Sequence, residues 1–550
     1  MCAWVVEKRE VVADNAVVAS AHQLASQAGI EILRNGGNAV DAAAATSFAI
    51  GVVEPFMSGI GAGGVINIRL SSGERCAIDA YIQAPKKITF FDWSTTGHKE
   101  VGVPGIVAGF TLALEKYGTM SIDKVLNPAI MLAKNGFIID SYVASNIASQ
   151  VSRMNGAGVR LLLKDGFNSL KEGDRLINKS LSRSLEMIAK EGSDAFYKGR
   201  IAEMIADDME KNGGLITLKD LEDYEARAYE PLTTTYRGIE IQGLPYAHGG
   251  VTVAHMLNLI ERFDPKDIVD GTVRYYHVLA EAQKRVFKDR FTYYGDPLFS
   301  NVPWEGIVSK EYAEELASQI SLERSSGIVG PGDPWKHDHT YVKPDRSLQS
   351  SYGTSAPGPE PETTTSFSVV DKERNIVATT QSNGAVFGSG ICVPGGGFFL
   401  NDFIYGRGQV GFFPMTWHPN YPEPGKRPVN THCPTIALKD DKPFMAFGSP
   451  GGRRQHGACV QAFIHVVDHG MGIQDAASAP RIHCEENTLW MEGRISEATR
   501  KTLRGMGHEV VDMPGTTMFF GGLNAVLVDQ KTGKLHGGAD PRRPCASVGY

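Results

Sequence analysis

Apolar residues recur at helical spacing over residues 22–33, and Asn35-Gly36-Gly37 stops that run. Asn38 stands where a helix N-cap is needed. A second helix is therefore expected through the alanines at 42–45 to about Val53, ending before Pro55. Residues 120–290 carry mostly helical patterning, clearest over 272–290. From 323 to 363 the periodicity gives way to Gly327, Gly330, Pro331, Gly332, Pro334, Pro344, Gly353, Pro357, Gly358, Pro359, Pro361 and many serines. That composition predicts a mobile connector. Beyond it the period switches to two. Residues 364–370 and 376–380 flank a polar turn at 371–375 and read as a hairpin. Residues 435–438 and 444–447, around Lys439-Asp440-Asp441-Lys442, read as a second, and 525–528 with Leu535 as a third. A helix is expected over 453–469. A helix-rich front half thus precedes a strand-rich back half, with no solenoid-type repeat.

Composition narrows the picture. A chain of 550 residues, 42% apolar and 21% charged, can bury a large core in two to four domain-sized units. A net charge of −7 argues against a nucleic-acid binder. No stretch approaches the ~18 consecutive apolar residues of a membrane span. The opening 12 residues hold only a short apolar piece before Glu7, Lys8, Arg9 and Glu10, too acidic for a secretory signal, so a cytoplasmic location is expected. Seven scattered cysteines without a CxxC pair predict free thiols.

Several stretches could carry chemistry. Thr363-Thr364-Thr365-Ser366 lies where the connector becomes a strand. On composition it is a β-propensity run. The same residues fit a self-cleaving nucleophile, because a hydroxyl needs a base, and an α-amino group freed by a cut has a reference pKa near 8. Gly448-Ser449-Pro450-Gly451-Gly452 follows a strand and opens a helix, a junction whose N–H groups can hold an oxyanion. Gly59-Ile60-Gly61-Ala62-Gly63-Gly64 fits GxGxxG, but a helix precedes it and a strand follows, the reverse of a dinucleotide site. His337-Asp338-His339 and His483-Cys484-Glu485-Glu486 are short runs without a second ligand pair, so no metal is expected there. Residues 407–427, with Phe412, Phe413, Trp417, His418 and Tyr421, fit a lid over a reaction site.

Taken together, the chain resembles the γ-glutamyltransferase family of N-terminal-nucleophile hydrolases nearly end to end. The resemblance rests on Gly36-Gly37-Asn38-Ala39-Val40-Asp41-Ala42-Ala43, Val53-Glu54-Pro55 with Ser58-Gly59-Ile60-Gly61, Val103-Pro104-Gly105 and Asp289-Arg290 with Gly295-Asp296-Pro297. It continues in Thr364-Thr365 with Ser368-Val369-Val370-Asp371, Phe387-Gly388-Ser389-Gly390, Ser449-Pro450-Gly451-Gly452 and Asp540-Pro541-Arg542. It implies an α+β fold, a four-layer αββα sandwich. It also implies a proenzyme that cuts itself into a large subunit, 1–363, and a small one, 364–550, which stay together as a heterodimer. The nucleophile maps to Thr364, with Ser366 where the family usually has His. Thr363 shares the run, and the spacing to Ser368-Val369-Val370-Asp371 favours Thr364. Ser382 takes the place of a Thr that hydrogen-bonds the nucleophile. Gly451 and Gly452 match the oxyanion glycines. Asn430 and Thr431 occupy the place of a Ser-Ser pair that holds the substrate carboxylate.

Two departures bear on the substrate. The family's Arg that grips the γ-glutamyl carboxylate falls on Tyr81. In the run from Leu400 and Asn401, the acidic residue that binds the substrate's amino group falls on Gly406. Tyrosine cannot replace a bidentate guanidinium. Losing one such buried charged partner costs about 2–5 kcal/mol, roughly 30-fold and upward in affinity. The expected substrate is therefore a small amide of the kind cleaved by the family's acylase and amidohydrolase branch. A true γ-glutamyltransferase or glutathione hydrolase is the alternative if Asp402 or Arg407 substitutes for the missing clamps. A processed but inactive binding homologue and a nucleotide-dependent oxidoreductase are weaker readings. The reaction that the resemblance implies needs no metal and no organic cofactor, and the charge and hydropathy above point to no nucleic-acid and no membrane partner.

Overall fold

The hairpin expected around residues 371–375 forms, with Thr365–Val370 antiparallel to Ile376–Ser382 and Val370 opposite Ile376. Its turn carboxylate reaches further than the turn. Asp371 accepts from Asn375 N (2.9 Å) and, through its other oxygen, from Ala39 N (2.9 Å). Ala39 opens the helix Ala39–Val53, and Asn38 with Asp41 forms a reciprocal capping box there. Both outcomes match the sequence pattern. The computed structural model describes residues 8–88, 97–340, 363–404, 412–413 and 418–550.

That hairpin is the centre of a seven-stranded antiparallel sheet. In spatial order the strands are Ala546–Gly549, Val17–Ser20, Thr365–Val370, Ile376–Ser382, Gly63–Arg69, Arg75–Ala80 and Arg227–Tyr229. A second seven-stranded sheet runs Val11–Ala13, Leu535–Ala539, Asn524–Val528, Lys442–Gly448, Thr435–Lys439, Ile239–Gly243 and Leu232–Tyr236. The sheets meet face to face through Val17, Val370, Ile376, Ile436, Ala446, Val526 and their neighbours. Helices Gln23–Arg34, Ala39–Val53 and Ile106–Tyr117 cover the outer face of the first, burying Phe48, Ile66, Phe110 and Phe367. Helices Gly249–Ile260, Val273–Tyr293 and Arg454–Val467 lie on the side of the second, around Leu257, Phe287, Phe447 and Phe463. The order is αββα, as the resemblance implies. Among the described residues no helix is long and apolar enough to cross a membrane. The six described cysteines are free and buried.

Two expectations change. The front half is not simply helical: six of the fourteen strands lie between residues 17 and 243, three of them in 227–243. Gly63–Arg69, the strand expected after the glycine run, forms and is buried along its whole length. Leu232–Tyr236 alternates, but with threonines outward, and a polar-rich edge strand is easily read as part of a helical region. Residues 323–340, expected to belong to a loose connector, pack against the second layer. Gly332 N donates to Asp289 (2.9 Å), Trp335 is buried beside Trp304, and Gly306 N donates to Asp338 (3.1 Å). Glycine and proline permit that close packing as readily as they permit looseness. The remainder of the connector, 341–362, lies outside the described residues.

The Asp540-Pro541-Arg542 block supplies a buried ion network. Arg481 Nη1 lies 2.7 Å from Asp540 Oδ2, and Arg542 bridges Asp540 Oδ1 (3.1 Å) and Glu492 Oε2 (2.6 Å). Removing Arg542 leaves Asp540 with Arg481 and Glu492 with Arg494 (2.8 Å) but strips the charged hydrogen bonds that join the two carboxylates, which costs about 1.5–3 kcal/mol. Equilibrium urea unfolding of Arg542→Met is expected to show that loss. A change below about 1 kcal/mol would mean the network is not holding the Asn524–Val528 strand to its neighbours.

Candidate active site

Thr364 sits immediately before the central strand Thr365–Val370, buried, with φ +81°. A β-branched residue in that region is a true outlier, costing about 1–3 kcal/mol unless its surroundings enforce it. Two contacts do so. Thr364 Oγ1 donates to Ser382 Oγ at 3.3 Å, and Ser382 ends the paired strand. On the other side of the same peptide unit, Gly451 N donates to the Thr363 carbonyl at 3.2 Å. Gly451 has φ +122°, and a Cβ there would lie 3.1 Å from Gly521 Cα, so only glycine suits the position. Gly452 adjoins it with φ +56°. The expected strand–turn–helix junction is thus present, between Lys442–Gly448 and Arg454–Val467. Of the two candidate oxyanion glycines, Gly451 is the one bonded to the Thr363 carbonyl.

Glu54, in a matching block but given no role by the sequence, lies next to this centre. Thr365 Oγ1 donates to Glu54 Oε2 at 3.3 Å. Burial pushes the carboxyl up to about 7, opposed by the Arg543 charge and the Thr365 hydroxyl. A single acid inside the apolar run Val52-Val53-Glu54-Pro55-Phe56 was the signal available for it.

The expected substrate residues sort differently. The Tyr81 ring packs on Gly63, where a Cβ would approach Tyr81 Cδ2 to 3.2 Å, and Gly63 is the register partner of Ser382. Tyr81 directly follows Arg75–Ala80, the third strand along from Thr365–Val370 in the sheet order. Asn401 is engaged with backbone: it accepts from Gly102 N (3.0 Å) and donates to Gly61 O (3.0 Å) and Gly102 O (2.8 Å). Asn430 is engaged as well, accepting from His432 N (3.1 Å) and bonded to His248 Nδ1 (2.7 Å). Thr431 Oγ1 accepts from Gln455 (3.0 Å). Gly406 and Arg407 lie outside the described residues, as does most of the expected lid before His418. Asp402 comes beside the centre: its Oδ1 accepts from Ala385 N (2.9 Å), and Gly384 N donates to Ser382 Oγ (2.9 Å). Gly384 has φ +97°, and any Cβ would run into the Asp402 carboxylate.

Behind Asn430 the charges are paired. Burial alone would raise Asp79, but Arg427 (2.7 Å) and His248 (3.4 Å) hold it well below the ordinary carboxylate range. The two histidine runs weighed for metal are internally partnered: His337 with Glu315 (3.0 Å), His483 with Glu485 (2.9 Å). Among the described residues His277, Glu281 and His508 do converge, but Lys284 and Arg285, each at 2.8 Å, already neutralise Glu281.

The Glu54 burial has a consequence for stability. A carboxyl raised from 4.5 to about 7 favours the fold while protonated, and that contribution is lost as pH rises through 7. Glu54→Gln removes the titration. Its stability relative to wild type is expected to increase between pH 4.5 and 7 by up to about 3 kcal/mol, at 1.36 kcal/mol per pH unit. Urea unfolding at pH 5 and pH 8 measures it, and parallel pH profiles for the two proteins would contradict the assignment.

The gamma-glutamyltranspeptidase family model matches residues 25–550. The glutathione hydrolase proenzyme of Escherichia coli (strain K12) is 37% identical over 96% of this chain and 91% of its own length. The acylase ACY 1 proenzyme of Pseudomonas sp. (strain SE83) is 34% identical over 97% of this chain and 93% of its own. Among solved structures, the cephalosporin acylase from Bacillus halodurans superposes with a TM-score of 0.89 at 26% identity, over 100% of this chain and 98% of that one. With a family match across nearly the whole sequence and an αββα fold to go with it, the chain belongs to the gamma-glutamyltranspeptidase family of N-terminal-nucleophile enzymes, which includes glutathione hydrolases and acylases.

Proposed function

We propose that this chain is a precursor that cuts its own Thr363–Thr364 bond and then hydrolyses a small amide through an ester on Thr364. One observation carries the reading: a buried, strained peptide unit whose carbonyl accepts from Gly451 N–H and whose following hydroxyl meets Ser382. Gly451 N–H polarises the Thr363 carbonyl and stabilises the oxyanion that forms when Thr364 Oγ1 bonds to its carbon. The C–N bond breaks, the hydroxyl proton ends on the Thr364 nitrogen, and water hydrolyses the resulting ester. Relief of the positive φ at Thr364 assists the step.

The products are a carboxylate at Thr363 and a free amine at Thr364. That amine, with a reference pKa near 8, is then the base for the neighbouring hydroxyl. A substrate carbonyl takes the position vacated by Thr363, under the same Gly451 N–H. Attack by Oγ1 releases the amine half of the substrate, which recovers the proton from the Thr364 nitrogen, and water resolves the acyl-enzyme. No step calls on a metal, so dialysis against a chelator leaves turnover intact.

Tyr81 in place of a guanidinium supports an acyl group without the ammonium–carboxylate head of glutamate, in line with the relatives named acylase. The glutathione-hydrolase alternative draws on Asp402, whose carboxylate beside Ser382–Gly384 has the charge to meet a substrate ammonium.

Intact-mass analysis of the purified protein is expected to give two chains, 1–363 and 364–550, with Thr364→Ala remaining whole and inactive. Ser382→Ala is expected to slow cutting and turnover about tenfold to a hundredfold. Fully active, uncut wild type would end the proposal. Glutaryl-p-nitroanilide is expected to exceed γ-glutamyl-p-nitroanilide in kcat/KM by roughly 30-fold or more. The reverse preference assigns the chain to the glutathione-hydrolase alternative.

A further inference from the structure

We propose that Glu54 is a positioning residue for the self-cut: its carboxylate holds Thr365, next to the nucleophile, while the loop that Glu54 opens holds the strand end that carries Ser382. The proposal rests on the self-cutting reading above and concerns what sets the rate of the cut.

Residues 54–58 follow helix Ala39–Val53 and are buried throughout. The loop closes on itself, with Met57 N (2.9 Å) and Ser58 N (3.3 Å) donating to the Glu54 carbonyl. Its next carbonyls point at the strand end beside the site. Met57 O accepts from Asn383 N (2.9 Å), Pro55 O from Asn383 Nδ2 (3.3 Å) and Phe56 O from Phe387 N (2.8 Å). Asn383 directly follows Ser382, whose Oγ meets Thr364 Oγ1. The Glu54 side chain turns to the other strand, where Oε2 accepts from Thr365 Oγ1 at 3.3 Å. Thr365 and Ser382 belong to paired strands, Thr365 opposite Gln381. One short loop therefore braces both sides of the Thr364–Ser382 hydroxyl pair.

A brace alone would not need an acid, since glutamine offers the same acceptor without burying a charge. The position of the acid gives it a use. Thr365 lies on the nitrogen side of the scissile bond, and Gly451 N–H lies on the carbonyl side. Charge of opposite sign develops at those two ends: negative on the Thr363 oxygen, positive on the Thr364 nitrogen as it takes the hydroxyl proton. Gly451 N–H meets the first, and a carboxylate on the nitrogen side favours the second. Ionised Glu54 also makes the stronger, charge-assisted bond to Thr365. Both effects quicken the cut when Glu54 is charged.

Burial pushes the Glu54 carboxyl up to about 7, against the Arg543 charge and the Thr365 hydroxyl, with Asp140, which caps helix Ser141–Gln150, acting in the same direction as burial. Cys545, on the same C-terminal segment as Arg543, is pushed up to about 12 by burial and stays a neutral thiol. Before the cut the Thr364 nitrogen is an amide and does not titrate. Glu54 thus changes charge between pH 6 and pH 8.

Full-length chain made by cell-free synthesis, then shifted to pH 6 or pH 8, gives the rate from the appearance of chain 364–550 on gels. Glu54→Gln is expected to cut about tenfold more slowly than wild type at pH 8 and within about twofold of it at pH 6, because the amide keeps the acceptor and lacks the charge. Glu54→Gln is also expected to be the more stable protein at pH 8, so slower cutting there does not report a lost fold. Glu54→Ala and Thr365→Val are each expected to cut about tenfold more slowly than Glu54→Gln at pH 6, and the double variant no more slowly than either, since both changes remove one bond. A ratio of wild type to Glu54→Gln that does not rise from pH 6 to pH 8 overturns the proposal. So does Thr365→Val cutting at the wild-type rate. Either result, with wild type still cut before Thr364, leaves the self-cutting reading standing. Wild type that stays whole at both pH values defeats that reading and the proposal with it.

Discussion

A single peptide unit, Thr363–Thr364, is held where two sheets meet. One sheet supplies Ser382 from the end of a central strand, and the other supplies Gly451 from the turn after an inner strand. The Ser382 contact spans two paired strands of one sheet, whereas the Gly451 contact exists only because the sheets face each other at the separation set by Val17, Val370, Ile376, Ala446 and Val526. The left-handed conformation of Thr364 is affordable only because that packing leaves no alternative path for the chain. Core packing and candidate chemistry are therefore the same constraint seen from two sides.

The electrostatics follow a common plan. Charges close to the centre are paired with protein partners: Asp79 with Arg427 and His248, Arg481 and Arg542 with Asp540 and Glu492. Arg290 is held instead by neutral groups, Thr252 Oγ1 and Asn430 O. Glu54 is the exception in being a single buried acid, and its proton sits in the physiological range because burial outweighs the nearby Arg543 charge.

Some of this was legible in order along the chain. The hairpin at 365–382, the capped helix from Asn38 and the glycine junction at 448–452 are local patterns, each set by residues within a few positions of one another. The family resemblance carried the αββα order. Other parts were not legible. Asn401 and Asn430 occupy positions expected to touch substrate, yet their amides are committed to Gly61, Gly102, His248 and His432, partners up to 340 positions away. His432 gave no signal of its own, since a histidine in a loop is ordinary until its neighbours are known.

The sequence by itself determined which segments become strands and helices around the centre and that the chain joins this family. Hydrophobic period and turn chemistry are local, and local patterns survive in one dimension. Only the tertiary structure decided that Thr363 O meets Gly451 N–H, that Glu54 lies under Thr365, and that Tyr81 and His432 share an aromatic corner. Those pairs are brought together by sheet stacking, and whether a polar atom ends with or without a partner depends on everything packed around it.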